Sequence, residues 1–297
     1  MIKNISLVLI IILFSYSCTE AGDKKSFFDM TNMEIDLLLT KMSKENKTIT
    51  ERMTSFSEHF LETPYDLVCA GDGPYALYEP QPLLNFKETN CMVYCEHVLA
   101  LSISDSWDNF FNNLQQIRYK DGIIGMRTRN HYTMGDWLPE NNWLLNDVSD
   151  KVAGEFTKKV TRTISHKKFF EGKGITDLRY VKPDREMTIN YVPKEDLGKV
   201  EMNFKNGDVL ALLFANKSNI FSAHMLMVYK DNNDTIIRES SSSKMTTFDT
   251  PYIEWIKKIQ NSDRYIGISV MRVREDLNKP GTIILPWDIS KIKSGLN

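Results

Sequence analysis

The chain has 297 residues, 42% hydrophobic and 11% aromatic, which is enough apolar material to bury a substantial core. Its formal charge of −2 excludes a global field that would draw it to nucleic acid. It carries no Gly-rich phosphate loop, heptad run or long internal repeat, which removes nucleotide-loop and coiled-coil readings.

At the N-terminus, Lys3 precedes an apolar run from Ile5 to Phe14 that is too short to span a bilayer with these flanks. The run ends in Ser15-Tyr16-Ser17-Cys18, which resembles a bacterial lipoprotein cleavage box. This predicts a signal peptide over residues 1–17, lipid on the Cys18 thiol and a polar tether over 18–27. The expected location is a bacterial envelope membrane, periplasm-facing, with the outer membrane favoured over the inner. An ordinary secretory signal cut nearby is the alternative. Without Cys18, three cysteines remain (Cys69, Cys91 and Cys95), so an exported chain keeps at least one free thiol.

Residues 28–297 read as one domain, with 28–62 as a helical N-terminal part. Ile35, Leu38, Leu39 and Met42 form a helical stripe within Phe28–Ser43. Ile49, Met53, Phe56 and Phe60 form another within Lys47–Leu61. Thr63-Pro64-Tyr65 ends the second helix, and Gly71-Asp72-Gly73-Pro74 marks a turn.

Thr89–Leu101 predicts the start of a buried helix. Asn90 is a good N-cap, and Cys91, Cys95, Val98 and Ser102 fall on one face. Cys91 is then the first helical residue, where the positive end of the helix dipole lowers a thiol pKa and favours a nucleophilic thiolate. The structural alternative is a small buried hydrophobe. A zinc site with His97 or His131 is disfavoured by the irregular spacing and by His97 facing away from both cysteines.

Trp107–Ile117 predicts a further amphipathic helix capped by Asp105 or Ser106, followed by a tight turn at Lys120-Asp121-Gly122. The long segment from Gly125 to Trp143 combines Arg127, Arg129, His131, Tyr132, Asp136, Trp137 and Trp143. Such a segment suits either an acidic ligand or aromatic docking on the core. Val152–Ser165 reads partly as strand, and Phe169–Lys182 carries no clear pattern. Strands follow over Val209–Ala215, Ser222–Tyr229, Thr235–Glu239 and Tyr265–Val273, with Phe248–Ile259 read as a helix facing inward through Ile253, Ile256 and Ile259. Short turns between strands predict an antiparallel sheet. His224, among apolar Met225, Leu226 and Met227, is either a satisfied core residue or a base facing a cleft. His59, His97 and His166 are weaker bases.

Several segments together resemble NlpC-type cell-wall hydrolases of the papain-like superfamily: Thr63-Pro64-Tyr65, Asn90-Cys91-Met92-Val93-Tyr94-Cys95-Glu96, Gly207-Asp208 and Ser222-Ala223-His224-Met225. Ile117 to Gly122, Arg127 to Tyr132, Gly135-Asp136-Trp137 and Asn141 resemble the N-acetylmuramoyl-L-alanine amidase-like branch. The resemblance implies an α+β papain-like core and cleavage of the N-acetylmuramoyl–L-alanine bond in muropeptides, anhydro forms included, through a cysteine thioester. It implies Cys91 as nucleophile, His224 as base, Tyr65 at the oxyanion, and Glu239 as the group orienting His224. Arg129, His131, Tyr132, Asp136 and Trp137 would bind the muropeptide, with no metal or organic cofactor. Asn90 and Cys95 depart from the Asp and aliphatic residue usual at those positions. Rival readings are a D-glutamyl stem-peptide endopeptidase and a non-catalytic muropeptide-binding lipoprotein.

Overall fold

The computed structural model describes residues 24–231 and 234–296. The predicted leader, Cys18 and the start of the tether lie outside the described residues. Two helices open the described chain, α1 (Asn32–Lys44) and α2 (Ile49–Glu58). Each begins in a reciprocal capping box, Thr31 with Glu34 and Thr48 with Glu51, which satisfies two backbone N–H groups that a helix start would otherwise leave open.

The next two helices are α3 (Cys91–Ser102) and α4 (Trp107–Arg118), capped by Asn90 and Ser106. α3 is buried on every side from Val93 to Ser102 rather than along one stripe, and its one carboxylate, Glu96, is met by the buried Arg118 at 2.8 Å. Its C-terminal end is met by the buried Arg52, whose Nε donates to the Ser102 carbonyl at 2.7 Å. His97 packs against the rings of Phe60, Phe86 and Phe110 and is held to the Val93 carbonyl at 2.7 Å, and burial pushes its pKa down to about 3. It is a neutral core residue.

The segment Gly125–Trp143 is no open loop. It makes a π-helical turn at Thr133–Trp137 and the short α5 (Leu138–Glu140), and Trp137 and Trp143 are fully buried. There follow β1 (Leu145–Asp147), α6 (Ser149–Ala153), β2 (Lys158–Ile164), α7 (His166–Gly172) and β3 (Arg185–Pro193). The strand expected over Val152–Ser165 therefore starts only at Lys158, after a helical turn. β4 (Val209–Phe214), β5 (Ser222–Asp231), β6 (Asp234–Ser241), β7 (Thr246–Pro251), α8 (Tyr252–Gln260), β8 (Tyr265–Val273) and α9 (Ile289–Ser294) complete the order.

The sheet runs β2-β3-β8-β4-β5-β6-β7, with β1 also on β8, and every pairing between these strands is antiparallel. The chain is thus α+β with an antiparallel sheet. Both faces of the central strands are covered. Val209, Ala211, Leu213, Met225 and Met227 pack toward α1–α4. Leu210, Leu212, Leu226, Val228 and Ile237 pack toward α6 and α8. Burial on both faces explains why Val209–Phe214 reads as an unbroken apolar run.

A second boundary also differs from the sequence reading. Residues 246–251 are strand, paired residue by residue with β6, and the helix begins only after Pro251. Thr246-Thr247-Phe248 favours an extended chain, and the helical spacing of the following apolar residues hides where it stops. The inward face is Tyr252, Trp255, Ile256 and Ile259, whereas Ile253 is 54% exposed.

Candidate active site

Cys91 is positioned from both sides of its helix end. The Asn90 side chain accepts from the N–H groups of Met92 and Val93, at 3.1 and 2.9 Å, and its amide donates to the Leu67 carbonyl at 3.0 Å. Thr89 bonds through its N–H to the Pro64 carbonyl at 2.9 Å, and its own carbonyl accepts from the Ser240 hydroxyl at 3.2 Å. Ser240 is fully buried and directly follows Glu239. One serine therefore ties the cap of the nucleophile helix to the strand that carries the carboxylate.

His224 and Glu239 alternate onto the face of β5 and β6 that carries Leu226, Val228 and Ile237. His224 Nε2 and Glu239 Oε2 are 2.6 Å apart. The other ring nitrogen, Nδ1, is left for Cys91, with which His224 is in hydrogen-bond contact. Burial alone would raise the Cys91 pKa. The imidazolium of His224 and the N–H groups of Met225 and Met92 outweigh it and bring the thiol below its ordinary value. Burial alone would likewise lower His224, but Cys91 and Glu239 raise it to about 10. Both shifts favour a thiolate–imidazolium pair over a neutral thiol and imidazole. The other two described thiols behave oppositely, since burial pushes Cys69 up to about 12 and Cys95 well above its ordinary value.

Tyr65 pairs with Thr89 in an isolated bridge and faces the same cavity. Burial and the nearby Cys91 charge raise its pKa, so its hydroxyl stays protonated and can donate. The Cys91 N–H, the first of the helix, meets no protein acceptor among the described residues. Cavity volume is about 590 Å³, and the lining includes Tyr65, Leu67, Cys91, Leu212, His224, Glu239, Trp255 and Ile259. The arrangement offers a nucleophile, an acid/base, a group fixing that base, and N–H and O–H donors around one space.

The five residues expected to bind ligand are placed elsewhere, and none lines this cavity. Arg129 pairs with Glu79 at 2.6 Å, and His131 is held by the Met126 carbonyl at 2.7 Å. Asp72, which Arg129 also meets at 3.5 Å, and Met126 help to line a separate depression of about 510 Å³. Burial lowers the His131 pKa to about 4, so it is neutral. Tyr132 donates its hydroxyl to the Ser165 carbonyl at 2.9 Å, and Trp137 is core. Burial alone would raise the buried Asp136, but His166 at 2.7 Å, with Lys182 and Arg185, holds its carboxyl well below the usual carboxylate range. This polar cluster ties the π-helical turn to α7 and β3. Among the described residues, no group of three or more His, Cys, Asp and Glu is disposed to hold a metal ion.

Sequence reasoning missed Ser240, and also Ser241–Ser243, Trp255, Lys258, Arg264 and Tyr265, which share the cavity wall. The Trp255, Lys258, Ile259 spacing of one helix face was the available signal.

The family model described as AmiA-like, N-acetylmuramoyl-L-alanine amidase-like, matches residues 55–266, more than half of the chain. The chain belongs to this amidase-like family. The matched span includes Cys91, His224 and Glu239. A solved structure of a Legionella pneumophila protein superposes with a TM-score of 0.73 at 22% identity, covering 82% of this chain and 94% of that one. An N-acetylmuramoyl-L-alanine amidase from Bacteroides uniformis gives 0.62 at 24% identity, with 76% and 99% covered. At these identities the likeness speaks for the fold. No curated protein is detectably similar in sequence to the chain.

Proposed function

We propose that this amidase-like protein is a cysteine hydrolase that cleaves the N-acetylmuramoyl–L-alanine bond of muropeptides. The observation that carries the reading is Cys91 at the first position of α3, in contact with a His224 that Glu239 holds at 2.6 Å. A nucleophile on a helix end, with base and orienting group on adjacent strands, is the papain-like arrangement of NlpC-type hydrolases.

The Cys91 thiolate adds to the lactyl carbonyl of the substrate. The Cys91 N–H and the Tyr65 hydroxyl, both at this cavity, would donate to the tetrahedral oxyanion. His224 gives its proton to the leaving alanyl amine, whose C–N bond breaks and leaves a thioester on Cys91. Neutral His224 then takes a proton from water. The hydroxide displaces Cys91, releasing the free acid, and Glu239 keeps the imidazole in the productive tautomer throughout. Lipid on Cys18 would hold the enzyme at an envelope membrane facing the periplasm.

The test is mass spectrometry of a mixed muropeptide digest, anhydro forms included, incubated with wild type and with Cys91→Ala. Whole stem peptides with a free L-alanine N-terminus, released by wild type alone, are expected. Shortened stems would make the protein an endopeptidase. Release by both proteins would remove Cys91 from the chemistry.

A further inference from the structure

The cavity wall opposite Cys91 carries charge that the hydrolytic groups do not use. Lys258 projects from α8 on the same face as Trp255 and Ile259, and Arg264 stands at the entry to β8. Neither is paired with a carboxylate among the described residues. The Arg264 guanidinium instead rests near the rings of Phe214 and Tyr265, 5.3 and 5.6 Å from their centroids. Its backbone is pinned, because its carbonyl accepts from Ala215 N–H at 2.7 Å. Arg264 also borders a second depression of about 410 Å³ that continues past Phe214 and Asn216 to Lys217.

Charge bookkeeping decides the ligand class. The Cys91 thiolate and His224 imidazolium cancel. Glu239, the one carboxylate of the lining, is taken by His224. Lys258 and Arg264 are left as a net positive wall, extended by Lys217. His224, which must reach the leaving amine, lies on the same α8 face of the sheet as these cations, so a leaving peptide directed from His224 toward α8 would meet them.

We propose that Lys258 and Arg264 form an anion-recognition subsite that selects substrates whose leaving peptide carries free carboxylates. The inference rests on the amidase reading and deepens it by naming the charge of the leaving group. Lys258 and Arg264 are specificity residues and take no part in bond cleavage.

Two probes that differ only in charge test it: N-acetylmuramoyl-L-alanyl-D-glutamate with both carboxyls free, and its diamide. Wild type is expected to show a KM about five- to tenfold lower for the acid than for the diamide, with similar kcat, and the preference falls as salt screens the exposed cations. The Lys258→Gln/Arg264→Gln double variant loses the preference, whereas Lys257→Gln, an equal charge change on α8 outside the cavity, keeps it. Equal KM for both probes in wild type, or a preference that survives the double variant, overturns the subsite. If wild type cleaves neither probe, the amidase reading is judged on the anhydro-containing digest above, independently of the subsite. Calorimetry of the same two probes on Cys91→Ala then decides the subsite. Tighter binding of the acid, lost when Lys258→Gln and Arg264→Gln are added, supports it. Equal or undetectable binding of both rejects it.

Discussion

Glu239→Gln isolates the electrostatic part of the Cys91–His224–Glu239 arrangement. The substitution keeps the shape of the side chain, which contacts His224 Nε2 at 2.6 Å, and removes its charge. His224 is raised from 6.5 to about 10 against the effect of its own burial, with Cys91 the largest favourable influence and Glu239 the next. An opposite charge at hydrogen-bond distance is worth about 1–3 pKa units, so the variant should bring His224 down by about that amount. Two measurements follow. The alkaline limb of the kcat/KM profile reports loss of the imidazolium that protonates the leaving amine, and it should move to lower pH by about one unit or more. Catalytic efficiency should fall about a hundredfold, or about 2.7 kcal/mol, because the imidazole loses both its tautomer control and the stabilisation of its charged form. Stability carries the same signature. A group whose pKa is raised on folding stabilises fully below its unfolded value, here 6.5, and that contribution is lost as pH rises toward about 10. In Glu239→Gln the loss of thermal stability on the alkaline side should therefore still begin near 6.5, but be smaller and be complete at lower pH. An alkaline limb and an alkaline stability profile that both coincide with wild type would refute the assignment of Glu239 as the partner that holds His224 charged.

Asn90→Ala removes a double N-cap acceptor and the amide that holds the Leu67 carbonyl. Chemical denaturation should show a loss of about 1–2 kcal/mol, and the pH midpoint of Cys91 alkylation by iodoacetamide should rise. Cys95→Ala deletes a fully buried thiol one turn away whose pKa is raised by burial. Turnover should stay within about twofold of wild type, and a loss as deep as that of Cys91→Ala would exchange the roles of the two thiols. Gly267→Ala places a Cβ about 2.0 Å from the Val192 carbonyl, where β3 pairs with β8. Differential scanning calorimetry should record a destabilisation of about 3 kcal/mol.

What could be read from the sequence was what local pattern encodes. A helix beginning at Cys91 announces itself through Asn90, because capping is a one-residue signal decided by side-chain reach. The apolar run at 209–214 announces a strand because burial on both faces leaves no polar residue to confuse the period. The segment from Arg127 to Trp137 was legible as unusual and not as to purpose. Arg, His, Tyr, Asp and Trp are the residues of ligand sites and equally those of buried polar clasps. What separates the two is whether partners are already present in the chain. Asp136 finds His166, Lys182 and Arg185 from 30 to 49 positions away, a distance no sequence window spans. The converse holds for Lys258 and Arg264, which look like ordinary surface charges until the sheet brings Cys91 and His224 to the same cavity.

Ser240 carries this argument a step further. Nothing in the Arg238-Glu239-Ser240-Ser241 run distinguishes its members by type, yet strand alternation sends them in opposite directions. Arg238 faces α2 and is bound to Asp249 and Ser57, while Glu239 faces His224. Ser240, back on the α2 and α3 side, reaches the Thr89 carbonyl one residue before the helix cap. A shift of β6 by one residue against β5 would turn all of these at once, burying a carboxylate among the aromatic residues beside α3 and withdrawing the partner of His224. The half-buried Arg238–Asp249 pair, at 2.7 Å in two places, holds β6 to β7, and Arg238 also donates to Ser57 of α2 at 2.7 Å. The His224–Glu239 contact thus depends on the register of β6, a strand whose Arg238 is tied to β7 and α2 outside the cavity. Ser240→Ala and Arg238→Met differ accordingly. The first loosens the cap of α3 and leaves the register intact, while the second frees the register, and only the second should disturb the His224–Glu239 contact as read from the alkaline limb of the pH profile.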